Sequence, residues 1–108
     1  TAAESRAVAM LKPNIVVAEP TDLIGTGMTS DDAYIETSIR AVKEIDPNIF
    51  VLAAAGISSC ADVYRVIRAG AEATGSSSGI TLAEDRAAMI DEMIGAARRA
   101  WDERAVAR

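Results

Sequence analysis

A single cysteine, Cys60, stands in the whole chain, so no disulfide framework can form within it. Such sparing use fits a reducing compartment, and a cytoplasmic protein is expected. Aromatic rings are nearly missing, at 4% of residues, so the core must be assembled from small and aliphatic side chains. No apolar run approaches the roughly 18 residues of a membrane span, and no signal sequence is apparent. No membrane partner is expected. The net charge of −5 argues against a nucleic-acid binder, which carries a clustered basic footprint. Histidine is absent and no cluster of metal-ligand residues stands out, so neither a metal nor a cofactor is expected.

What is present is alanine and β-branched residue in alternating blocks. At 108 residues there is room for one domain or part of one. Residues 2–11 place Ala3, Ala7, Val8 and Leu11 on one stripe, which predicts a helix ending near Lys12-Pro13. Ile15-Val16-Val17-Ala18 is a continuous apolar run, as in a strand buried on both faces. Pro20 prevents that strand from continuing, and Glu19 sits where it gives out. Thr29-Ser30-Asp31-Asp32 reads as a capping box before a helix carrying Ile35, Ile39, Val42 and Ile45, which stops before Asp46-Pro47. Ile49 to Ala53 is a second buried strand.

Ser59-Cys60-Ala61-Asp62 is another capping-box pattern, opening a helix with Val63, Val66 and Ile67 inward and Gly70 as its stop. Ala71 to Thr74 is weak by propensity, and the alternation of units assigns it as a third strand. Residues 84–104 form a long helix with Met89, Ile90, Met93, Ile94, Ala97 and Trp101 on its core face. The order α-βα-βα-βα predicts a single α/β unit over 1–108 with a parallel sheet and right-handed crossovers. Its opening inside a helix, without an initiator methionine, reads as a piece of something larger.

Chemistry concentrates after the strands. Gly25-Thr26-Gly27, Ala55-Gly56-Ile57-Ser58 and Ser77-Ser78-Gly79 are small-residue loops, each following one strand. Glycine lets backbone amides approach a ligand closely, and small hydroxyl residues add donors without bulk. Taken singly, each loop reads as a tight βα turn, since one Gly-rich turn is a weak signal. Together on one rim, beside the Glu19 carboxylate, they point to an anion site held by local amides. Cys60 reads as a packed thiol, Met89 and Met93 as core filling. Lys12, Lys43 and the arginines 98, 99, 104 and 108 read as solvated charge.

The run Ala18-Glu19-Pro20-Thr21-Asp22-Leu23-Ile24-Gly25-Thr26-Gly27 resembles the catalytic-glutamate and lid segment of the triosephosphate isomerases, in their short, archaeal-type branch. Ala55-Gly56-Ile57-Ser58 and Ser77-Ser78-Gly79-Ile80 are similar to that branch's two later phosphate loops, in the same order. The resemblance implies the C-terminal part, about strands six to eight with flanking helices, of an eight-stranded (β/α)8 barrel. It implies Glu19 as the base that shuttles a proton between two carbons of an aldose or ketose phosphate. Pro20, Thr21, Asp22, Leu23, Ile24, Gly25, Thr26 and Gly27 would form a closing lid. The amides of Gly25, Gly56, Ser78 and Gly79 would hold the phosphate of a small phosphorylated sugar, with Ser58 and Ser77 as further candidates.

There are departures. Ala54 stands where the family usually has glycine, and Thr21-Asp22 replaces its Pro-Glu, which leaves room for a different sugar phosphate. The family's mechanism also needs a lysine and a histidine from its earlier strands. With no histidine, and lysine only at positions 12 and 43, the chain alone is expected to be inactive. The expected partner is the N-terminal part of the barrel, or further copies of the chain in a homo-oligomer. Two alternatives stay open: a non-catalytic phosphate-binding module, and a self-associating barrel fragment whose uncovered apolar faces need another chain.

Overall fold

A computed structural model describes residues 1–20, 31–54 and 56–107, with side chains to Arg104. In chain order the elements are α1 (Ala2–Ala9), β1 (Ile15–Ala18), α2 (Asp32–Ile45), β2 (Phe50–Ala53), α3 (Cys60–Arg68), α4 (Ser78–Thr81) and α5 (Arg86–Ala107). β1 and β2 pair in parallel, with Ile15 opposite Phe50 and Ala18 opposite Ala53. The α/β order is therefore as expected. The barrel portion is not.

The described residues build a two-stranded sheet with helices packed on one face, and no barrel section among them. The third strand expected at Ala71–Thr74 shrinks to one bridge, Leu52 to Ala73. The reason lies in Glu72. Its amide and that of Ala73 both donate to the Val51 carbonyl, at 3.0 and 3.3 Å. The Val51 N–H then donates to the Glu72 side chain, at 2.8 Å, instead of to a neighbouring strand. With two alanines, a glutamate and Thr74 as its one β-branched residue, the segment has few of the side chains that would extend the ladder beyond this point.

Lys43 seals the same edge. Its Nζ lies 2.5 Å from Glu72 Oε1 and donates to the Ile49 carbonyl at 2.6 Å. Lys43 is thus a structural cation rather than the solvated charge the sequence suggests.

The helices cover one face of the sheet. Val16, Ala18, Val51 and Ala53 are buried against them. Ala9 of α1, Val42 of α2 and Ile49 complete the core around Val16, Ala18 and Val51. The opposite side chains, Ile15, Val17 and Phe50, are 51–58% exposed. The expectation of strands buried on both faces is met on one only. Nor does α1 bury the stripe read from the sequence: Ser5 and Ala9 go inward, while Val8 and Leu11 face out.

α2 starts at Asp31, whose carboxylate accepts from the Tyr34 amide at 2.7 Å. That cap lies two residues beyond the expected Thr29, which is outside the described residues along with Ser30. The buried Ile35 and Val42 and the half-buried Ile39 and Ile45 bear out the helical spacing. α3 begins at the expected Ser59, whose hydroxyl accepts from the Asp62 amide at 3.3 Å. It stops at Gly70, where φ of +125° suits glycine, and Val63, Val66 and Ile67 are buried as expected.

α3 packs closely on α5, and the contact runs through Met93, Ala96, Ala100 and Arg104. The large residues Ile90, Ile94 and Trp101, placed on the core face by the helical spacing, lie partly in solvent. Alanines at the contact let the helix axes approach, which pushes bulkier side chains to the flanks. Arg104 is buried. Its Nη1 donates to the carbonyls of Ile67 and Ala71, at 2.9 and 2.8 Å, closing the end of α3. Its guanidinium also lies over the Trp101 ring at 4.7 Å. Nearby, Tyr64 donates to the Glu103 carboxylate, and that bond holds the phenol above its ordinary pKa.

Candidate functional site

Parallel strands end side by side, so the segments after β1 and β2 leave the sheet at one end. Glu19 is the first residue beyond β1 and is half-buried, as is Pro20. Among the described residues its carboxylate accepts no hydrogen bond and makes no ion pair. The lid positions Thr21, Asp22, Leu23, Ile24, Gly25, Thr26 and Gly27 lie outside the described residues, and so does Ala55.

Beyond β2 the chain turns at Gly56, where φ is +72°, a conformation that side chains other than glycine adopt at a cost. Ile57 then dives into the core while Ser58 stays exposed. The Ser58 amide and hydroxyl both donate to Asp62 Oδ2, at 3.0 and 3.2 Å. In the second capping box the Ser59 half stands as the pattern suggests, while the Asp62 carboxylate reaches one residue further back, to Ser58. Ser58 is also committed internally, which removes it from the set of free anion donors.

The segment before α4 folds onto this turn. Ser76 Oγ donates to the Ile57 carbonyl at 2.6 Å. Gly79 fits only because it lacks a side chain. A Cβ there would lie 2.5 Å from Ser76 Oγ, 2.6 Å from the Ile57 oxygen and 2.8 Å from Ser58 Cα. Two of the loops singled out in the sequence are thus pressed together at Gly79.

Ser77 is the N-cap of α4 and makes no side-chain capping bond. Ser78 and Gly79 are the first residues of that helix, where amides have no intrahelical acceptor. The turn that carries Gly56 and Ser58 thus lies against the segment of Ser76 and Gly79 through Ile57 and Ser58, and Glu19 stands at the end of the adjacent strand. Ser76 is a participant that sequence reasoning missed, and so is the reach of the capping-box residue Asp62 to Ser58. For Asp62 a signal existed, since a carboxylate at the third position of a helix routinely reaches back to the preceding loop. Among the described residues no group of His, Cys, Asp and Glu is placed to hold a metal ion. No helix among them is long and apolar enough to cross a membrane.

No family model matches the chain. Curated relatives do. The chain is 39% identical over 93 residues to a triosephosphate isomerase of Methanothermus fervidus, which covers 83% of this chain and 42% of that protein. It is 35% identical over 99 residues to that of Sulfolobus acidocaldarius, covering 90% and 43%. It is 41% identical over 93 residues to that of Methanocaldococcus jannaschii, covering 83% and 42%. The chain therefore spans less than half the length of these relatives and resembles part of a triosephosphate isomerase.

Among solved structures, all of the chain superposes on 42% of a chain in the crystal structure of the Amycolatopsis orientalis BexX/CysO complex. The TM-score is 0.82 and the identity 23%. That likeness is one of fold. It agrees with a compact α/β unit and gives no support to the expected barrel portion.

Proposed function

We propose that the chain supplies the base and part of the phosphate cradle of a triosephosphate-isomerase-type site. The observation that carries this reading is the match to several enzymes of that name, at 33–41% identity over most of the chain. In it, Glu19 takes a proton from the hydroxyl-bearing carbon beside a carbonyl and returns it to the carbonyl carbon, while the hydroxyl proton passes to the former carbonyl oxygen. Aldose and ketose phosphates then interconvert with no change in atoms and no cofactor. The amides of Gly56, Ser78 and Gly79, with Gly25 from the lid, hold the phosphate, and the Ser77 hydroxyl adds a donor. Fixed amides orient the reacting carbons, and lid closure over residues 20–27 excludes water from the carboxylate.

These 108 residues hold no histidine, so in this reading the group that polarises the carbonyl lies outside them. Alone, the chain binds without turning over. Nitrogen-15 NMR titration with inorganic phosphate should give saturable shifts at Gly56, Ser78 and Gly79. Shifts scattered over the surface, or none at these amides, would sink the cradle. In whatever assembly restores turnover, Glu19→Gln should lower kcat by roughly 10²–10⁴-fold and leave phosphate binding in place. Unchanged kcat removes Glu19 from the mechanism.

A second reading, self-association, is favoured by one observation: Ile15, Val17 and Phe50 form an exposed apolar face on a parallel sheet. Phosphate binding with no turnover in any assembly would leave the site as a binding module.

A further inference from the structure

β2 and the segment after α3 are tied by backbone as far as the Ala53 amide, which donates to the Ala73 carbonyl at 3.0 Å. Past that bond, among the described residues, no backbone pair joins residues 56–58 to residues 74–79. Gly75 comes next. It is exposed, and a Cβ placed on it would meet no atom within 4 Å. A glycine in open space constrains the chain little, so the sheet by itself does not fix where Ser78 and Gly79 lie. One side chain does. Ser76 Oγ donates to the Ile57 carbonyl at 2.6 Å, and Ile57 is anchored in the core with Val63 and Val66. The same oxygen lies so close to Gly79 that a Cβ there would stand 2.5 Å from it. The Ser76 hydroxyl is thus bonded to one loop and packed against the first turn of α4 in the other.

We propose that Ser76 is a positioning residue of the phosphate cradle: its hydroxyl fixes the amides of Ser78 and Gly79 relative to the turn at Gly56, and so sets the affinity for a phosphate held between them. The inference rests on the cradle proposed above and adds to it a residue that touches no ligand. The Ser76 proton is committed to the Ile57 carbonyl, so it is not offered to an anion. Its effect is through geometry. Amides already held at their working separation need no ordering when the anion arrives, whereas amides on a segment swinging about Gly75 do.

Inorganic phosphate is the probe, titrated into the full chain by nitrogen-15 NMR at a temperature where urea melts show every variant folded. Ser76→Ala should weaken phosphate by roughly 3- to 10-fold, about the worth of one hydrogen bond. Lys43→Met loosens the fold at the other end of β2, beside Ile49, and should leave the phosphate affinity as in the wild type. Different failures strike different statements. If the wild-type chain takes up no phosphate saturably, the cradle fails and the positioning role falls with it. If the wild type binds and Ser76→Ala binds equally well, the cradle stands and the role of Ser76 is overturned. If Ser76→Ala and Lys43→Met weaken phosphate alike, the loss reports general loosening, and Ser76 positions nothing.

Discussion

The two faces of the β1–β2 sheet are made of similar residues and live in opposite surroundings. Val51 is fully buried, whereas Val17, one strand away on the other side, is 58% exposed. Both strands are apolar at every position, as parallel strands are when both faces are covered. The helices of this chain meet that demand on one side. An all-apolar strand thus specifies that two faces need cover and does not say which chain provides it.

The same substitution on the two sides should separate them. Val51→Ala should cost about 2–3 kcal/mol in urea unfolding, because two buried methyl groups are lost and the void is only partly refilled. A loss as small as a surface change would mean that the covered face is not a packed core. Next in size, Lys43→Met should cost about 1–3 kcal/mol by leaving the half-buried Glu72 carboxylate without its cation. It should also speed amide exchange at Val51, whose N–H that carboxylate accepts. Stability lost without faster exchange there would divorce the ion pair from the sheet edge.

The smallest effect belongs to the bare face. Val17→Thr should change stability of the dilute chain by less than about 0.5 kcal/mol. If copies of the chain cover this face in solution, the wild-type melting temperature rises with protein concentration and the dependence weakens in Val17→Asp. A melting temperature independent of concentration would leave the face bare, and the contrast between the faces at its sharpest.

Much of this was legible beforehand. The β-branched runs, the Ser59 cap, the Gly70 stop and the inward side of α3 follow from local rules that packing did not override. The third strand was assigned from the alternation of units, and there a single side chain, Glu72, took the place of a ladder. The apolar spacing along α5 points to Ile90, Ile94 and Trp101, while the contact with α3 selects Ala96 and Ala100 beside Met93. Arg104 was misread as solvated because its charge is visible in the sequence and its carbonyl partners, 33 and 37 residues away, are not. At the site, the order of Glu19 and the small-residue loops was readable. The internal commitment of Ser58 and the pressing of one loop on another were not, since both depend on distances across the fold.

Gly79 has a consequence for how this chain can vary. Its place is bounded on three sides by a hydroxyl oxygen, a carbonyl oxygen and an α-carbon of two different loops. Two of these are backbone atoms, which no rotamer change can move aside. Even one methyl group at position 79 would prise the loops apart and so alter both at once. The pair is therefore inherited as a single part: a variant can change what Ser77 or Ser78 presents, but it cannot add a side chain at the junction.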